Sequence, residues 1–279
     1  MKPNFFRHNR ASAEGRRPRQ AALGLSFWAY GGALAGALIA TVLFAPAHWL
    51  AEWVYNGTDQ HLLLTEPRGT VWRGSAQLTL SGGPGSRDIA VLPDRVQWSV
   101  SPGISGLNVS LLSECCTPKA WQLHATPRLR GVLLELADAQ AFWPAELLTG
   151  LGTPWNTLEP SGQLSLQSRG LSAEWNAGKL MVAGSAILEA RDMSSRLSTL
   201  HPMGSYRLRI QGGAPVSLTL ETLEGSLRLE GRGEWVGSRL RFSGVASTQP
   251  EREAALANFL NIVGRRNGLR SVITIGSSS

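Results

Sequence analysis

Apolar and polar residues alternate in short runs from Ala76 to Ile275, and that period of two predicts a mainly β protein. The expected fold is an N-terminal transmembrane helix followed by a large antiparallel β-sheet meander, with one short mid-chain helix and one C-terminal amphipathic helix. Two further observations carry it. An uncharged stretch near the N-terminus is long enough to span a bilayer, and breaks of Gly, Pro, Ser and Asn recur between the alternating runs.

The chain has 279 residues and a formal net charge of +7. Six basic residues (Lys2, Arg7, Arg10, Arg16, Arg17 and Arg19) fall in the first twenty positions against Glu14 alone, so the remaining body is close to neutral. That distribution argues against a nucleic-acid partner, which needs basic charge on the folded surface. No Asp, Glu, Lys or Arg occurs between Gln20 and Ala51. Within this gap ALGLSFWAYGGALAGALIATVLFA (Ala22–Ala45) exceeds the roughly 20 apolar residues of a spanning helix. Gly32 and Gly36 have the GxxxG spacing that permits close helix contact. Trp28, Tyr30, Trp49 and Trp53 bracket the run in the manner of interfacial aromatics. A cleavable signal peptide is the alternative, and Ala45-Pro46-Ala47 fits its cleavage site loosely. Its apolar core would be only ~7 to 15 residues, however, so an uncleaved anchor is expected. The positive-inside rule keeps the arginine tail cytoplasmic. The expected division is a basic tail over 1–21, an anchor over 22–48 and a β-rich domain over 49–279.

Past the anchor, GTVWRGSAQLTL (Gly69–Leu80) opens the sheet. Gly69 and Gly74 are expected at a turn and a bend, with Trp72 as packing surface over the first strand; a catalytic or ligand-binding Trp72 is the sharper alternative. Ala76, Leu78 and Leu80 alternate with Gln77, Thr79 and Ser81, and Val96, Trp98 and Val100 with Arg95, Gln97 and Ser99. The pattern returns at Leu164 and Leu166, at Tyr206, Leu208 and Ile210, at Val216, Leu218 and Leu220, at Leu227 and Leu229, and at Leu240 and Phe242. Each run has one dry and one wet face, and the short breaks between them (SGGPGS, SPGISG, EPSG, QGGAP, LEG, WVG) favour antiparallel neighbours.

Two helices interrupt the strands. FWPAELLTGL (Phe142–Leu151) has Pro144 placed for a first helical turn and Gly150 or Gly152 near the end. After Pro250, Leu256, Phe259, Leu260 and Val263 form one apolar stripe, Thr248 and Glu251 have capping-box spacing, and Arg265 and Arg266 follow Gly264. The stripe is expected to dock on the chain's own sheet, with a partner-binding face as the alternative. SVITI (Ser271–Ile275) then returns as a last strand.

No catalytic, cofactor-binding or metal-binding residue can be named. GxSxG, HExxH, the P-loop and the dinucleotide glycine fingerprint are missing from the sequence. His8, His48, His61, His124 and His201 are scattered without metal-ligand spacing. Glu135 with Asp138, and Glu221 with Glu224, are carboxylate pairs of the kind that polar strand and turn positions produce by chance. The two cysteines, Cys115 and Cys116, are adjacent. They could form a vicinal disulfide, stay reduced or pair between chains, and they lack the spacing of a redox or metal motif.

The order of several short motifs is more specific than any one of them. A single anchor, then GTVWRGSA, GLGTPWNTLEPSGQLSL (Gly150–Leu166), HPMGSYRLRIQG (His201–Gly212), LTLETLEGSLRLEGRGEW (Leu218–Trp235) and FSGVAS ahead of EREAALANFLNIVGRR together resemble type II secretion system protein N, also called general secretion pathway protein N. The likeness runs from the anchor to about Ile275; the long basic tail and the Cys115-Cys116 pair stand outside it. It implies a single-pass subunit of the bacterial inner membrane, N-terminus cytoplasmic and bulk periplasmic, in the platform that exports folded proteins across the outer membrane. It further implies other platform subunits as partners, no cofactor and no enzymatic activity. The chain is also similar to the AsmA-like proteins, whose one-faced sheets hold lipid in a hydrophobic groove, and lipid in an apolar groove is the alternative expectation.

Overall fold

The computed structural model describes residues 22–176, 179–237 and 239–276, with the side chains of 22–27 and of Lys179 outside that set. The basic tail expected over 1–21 lies outside the described residues. The chain divides into two compact units between Phe44 and Ala45.

The first unit contains α1 (Ala22–Leu43), 22 residues with no charge in its first or last turn. Trp28 and Tyr30 are exposed, and an added Cβ at Gly32 or Gly36 would meet nothing within 4 Å. Among the described residues no helix is long and apolar enough to cross a membrane. The described side chains of α1 begin at Trp28, and the stretch from there to Leu43 is shorter than the roughly 20 residues of a span.

The second unit opens with α2 (Ala47–Gly57), a helix that the sequence reading, which ended the anchor at residue 48, did not expect. Its inner face, Ala47 and Leu50, packs on Ala76 and Trp98 beside Leu64, Val100 and Leu111. The spacing of Ala47, Leu50 and Val54 marks a buried helical face, while Trp49 and Trp53 point outward.

Fifteen strands among the described residues form one sheet. The first seven are β1 (Leu62–Gly69), β2 (Arg73–Ser81), β3 (Ile89–Pro102), β4 (Leu107–Leu112), β5 (Trp121–Arg128), β6 (Gly131–Leu136) and β7 (Ala139–Pro144). The remainder are β8 (Pro160–Asn176), β9 (Lys179–Ser195), β10 (Gly204–Gly213), β11 (Val216–Gly225), β12 (Leu227–Val236), β13 (Arg239–Thr248), β14 (Arg265–Asn267) and β15 (Arg270–Ile275). Sequence neighbours pair antiparallel almost throughout. The exceptions are β6 and β7, which share the long β8, and the end of the path, where the order is β13-β15-β14. The expected antiparallel meander is therefore the observed one.

Register lines up the apolar positions into a continuous face. Leu64 opposes Leu78, Ala76 opposes Val96 and Trp98 opposes Leu111. The row continues through Val109 with Leu123, Ala125 with Leu134 and Ala173 with Val182. Nearer the C-terminus Leu188 opposes Leu208, and Leu208 opposes Leu220. A slip of one residue in any pairing would turn its apolar set to water, so burial of this face fixes the register.

Several sequence expectations need correction. GTVWRGSAQLTL does not open the sheet: β1 precedes it, and Gly69 faces Gly74 across the hairpin. Trp72 is half-buried, and the tryptophan that is packed is Trp98, 5% exposed, its indole N–H donating to Thr70 O at 3.2 Å and Val71 O at 3.1 Å. Gly74 makes room for it, since a Cβ there would lie 2.5 Å from the Trp98 ring. In the mid-chain segment Phe142 and Trp143 belong to β7, and the helical part is a 3-10 helix, Ala145–Leu151, followed by a four-residue α3 (Trp155–Leu158). At the C-terminus Pro250–Arg252 forms a 3-10 turn ahead of α4 (Glu253–Val263). The capping box does not form; Thr248 ends β13 and its hydroxyl donates to Ser226 O at 3.4 Å. Gly264 is extended and leads straight into β14, so Arg265 and Arg266 are strand residues and not the end of the helix.

Candidate functional site: an apolar cavity beneath the sheet and a charged outer face

One end of the sheet is covered on its apolar face. The 3-10 helix and α3 arrive from the β7–β8 connection and α4 from the β13–β14 connection. Leu256, Phe259 and Leu260 of α4 join Leu227, Ala246, Tyr206, Met193 and Met203 in the largest buried cluster. The stripe thus docks on the chain's own sheet, as expected. Phe242 lies on a bed of glycines, because a Cβ at Gly231, Gly233 or Gly244 would come within 3.0 Å of its ring.

Between this cover and the strands is a cavity of about 430 Å³. Leu148, Trp155, Leu188, Met203, Leu220 and Phe259 contribute to its wall. Its polar atoms are spent elsewhere: the Tyr206 hydroxyl donates to Leu227 O at 3.1 Å, and the Ser195 hydroxyl donates to Leu158 O. Burial pushes the Tyr206 phenol above its usual range, so it stays neutral. Farther along β9, β10 and β11, toward the uncovered end, a wider hollow of about 990 Å³ is lined by Leu180, Met181, Val182, Ile210, Val216 and Trp235. Leu208 borders the first cavity and Ile210, two residues on, the second. Walls of this kind hold alkyl groups by burial and offer little to orient a polar substrate.

The opposite face carries a charge network set by register. Glu189, Arg207 and Glu221 lie side by side on β9, β10 and β11. Glu189 is 9% exposed; one carboxylate oxygen accepts from Arg191 at 2.7 Å and the other from Arg207 at 2.8 Å. The Arg191 hydrogen bonds, followed by those of Arg207, hold its carboxyl below the ordinary range. Its hydrogen bonds to Glu189 raise Arg207 in turn. Arg207 and Arg209 also reach Glu221, at 3.3 and 3.4 Å.

Several of the residues weighed in the sequence for chemistry have separate structural partners. Asp138 accepts from Gly170 N at 2.9 Å, and Glu224 from the Ser205 hydroxyl at 3.1 Å. His124 bonds Asn108 at 2.7 Å and Ser105 at 3.0 Å, and His61 bonds Thr58 O at 3.0 Å. Among the described residues no group of three His, Cys, Asp or Glu could hold a metal ion. Cys115 and Cys116 are joined as a vicinal disulfide in the β4–β5 connection, with Cys116 buried beside Leu92 and Leu147. Glu189 was missed in the sequence, where β9, the strand that carries it, was not recognised. Only the pairing of β9 with β10 brings two arginines to it.

This architecture defines a class: a meander protein organised around one extended apolar sheet face, part core and part cavity. A family model described as type II secretion system (T2SS), protein N, matches residues 60–272. That match takes in nearly the whole sheet, and the chain belongs to the type II secretion system protein N family. Neither a curated protein nor a solved structure matches it.

Proposed function

We propose that the chain is an inner-membrane-anchored, periplasmic subunit of the type II secretion system, serving as an accessory part of the platform that exports folded proteins across the outer membrane. The observation that carries this reading is the family match over residues 60–272. The anchor and its orientation draw on the uncharged α1 and on the arginines that precede it. The domain division is a cytoplasmic tail over 1–21, an anchor over 22–48 and a periplasmic body over 49–279. Its partners are other platform subunits, met through side chains on the body's surface. In-cell crosslinking from exposed positions of the sheet, such as Arg232 and Arg241, should recover platform subunits of the same system. Recovery of unrelated envelope proteins in their place would overturn the reading.

The apolar cavity supports a second reading, in which the sheet holds lipid. Its test is organic extraction of the purified protein. A stoichiometric alkyl-chain molecule, lost when Leu188 and Leu220 are replaced by larger Phe side chains, would favour the groove; a clean extract would leave the platform reading alone.

A further inference from the structure

The strand register sets which turns lie together. The β1–β2 turn (residues 70–72), the β3–β4 turn (103–106) and the β5–β6 turn (129–130) all lie at the end of the sheet opposite α3 and α4, because Trp72 O accepts from Val100 N, and Ala125 opposes Leu107. The body's first residues are fixed at the same end. Val71 N–H donates to Ala45 O at 2.9 Å, and Pro46 pairs with Thr70. Ala45 stands two residues after the end of α1 in the sequence, so the chain enters the body at this rim.

Two side chains stand out on it. Ile104 and Leu129, each at the tip of its turn, are 111% and 107% exposed. No packing role accounts for a bare isoleucine and leucine at two neighbouring tips. Arg128 and Arg130 flank Leu129, and Arg73 follows the first turn; all three are exposed. Glu66, within β1 and three residues before its end, is already held by Arg95 at 3.3 Å and Arg68 at 3.7 Å. With strands about 4.8 Å apart, the Ile104 and Leu129 tips lie on the order of 10 and 20 Å from the entry point.

We infer that this rim seats on an anionic bilayer, with Ile104 and Leu129 inserted among the lipid chains and Arg73, Arg128 and Arg130 at the headgroups. Apolar tips framed by arginines have the chemistry of an interfacial anchor, in which burial and attraction to acidic lipid add. The inference rests on reading α1 as a membrane anchor, since a bilayer at the entry point is what brings the tips within reach. It adds a second attachment that would hold the body at a fixed tilt.

The test uses the full-length chain reconstituted in vesicles of phosphatidylcholine and phosphatidylglycerol. Ile104→Cys, Leu129→Cys and, at the far end of the sheet, Thr199→Cys are each labelled with an environment-sensitive nitrobenzoxadiazole dye, the native cysteines being closed as a disulfide. Doxyl-labelled lipid should quench the dye at 104 and 129 at least about threefold more than at 199, as insertion at the acyl boundary requires. Arg128→Gln with Arg130→Gln should weaken quenching at 129. Protein that floats with the vesicles while 104 and 129 stay as wet as 199 would overturn the seat and leave the anchor standing. Quenching that is indifferent to the arginine changes and to phosphatidylglycerol would overturn the choice of acidic lipid. Protein that fails to float would remove the anchor, and the seat with it.

Discussion

Trp98 shows how one side chain joins three parts of the body. Its ring fills the space left by Gly74, its N–H serves the carbonyls of the β1–β2 turn, and α2 closes over it through Ala47 and Leu50. Trp98→Ala should therefore cost about 3 to 5 kcal/mol, whereas Trp98→Phe, which keeps most of the volume and loses the donor, should cost nearer 1 to 3. Urea melts of the two variants check the difference. Trp72→Ala, at a half-buried position, should cost less than Trp98→Ala. The inward face of Trp98 was legible from its alternation with Gln97 and Ser99. Which tryptophan would be buried was not, because that depends on Gly74 being its cross-strand partner. Glu189 offers a second test. Its carboxyl is held below the ordinary range in the folded chain, so its contribution is present above the unfolded value and is lost as pH falls through the lower folded one. The melting temperature of the wild type should drop on acidification through that window, and Glu189→Gln should start lower at neutral pH and drop less.

Among the elements, α4 is where sequence and structure agree most closely and where they part most usefully. A stripe at helical spacing specifies both the element and its buried face without knowledge of the partner. Leu256 and Leu260 are fully buried, and Phe259 is 7% exposed. Phe259→Asp would place a charge in the main core and should abolish the cooperative melt of the purified protein. Ile262→Asp, on the outer side at 43% exposed, should melt within about 0.5 kcal/mol of the wild type. A normal melt for Phe259→Asp would refute the docking. The boundaries were less legible: a capping box written as Thr248 and Glu251 lost to a strand end, because Thr248 had a backbone carbonyl across the sheet to bond. Strands with clear alternation, such as β2, β10 and β13, were found. Those missed had local reasons: β4 and β6 are only six residues long, and Gly184, at φ +84, interrupts the alternation of β9. Cavities left no mark in the sequence at all, since a residue lining one has the same periodicity as a residue filling one.

At the scale of the molecule, the proposed arrangement places an uncharged helix between a basic tail and a sheet-bearing body. A reporter active only in the periplasm should work when fused after Ser279 and fail when fused after Arg19; the reverse pattern would overturn the orientation. The meander itself bears on how the chain acquires its structure. A ribosome releases strands one by one, and along β1 to β6 and β8 to β13 each new strand finds its partner already made and no more than eight residues away. Contacts this local in sequence favour fast acquisition despite an all-β topology, since little loop entropy is lost before pairing. The growing sheet, however, always presents an unpaired edge, open to a strand from any neighbouring chain. Growth stops only when α4 has packed and β15 folds back between β13 and the three-residue β14. A chain cut short before Glu253 would keep most of its pairings and yet expose the bare edge of β13, which makes the segment from Glu253 onward a terminator for the sheet and its guard against self-association.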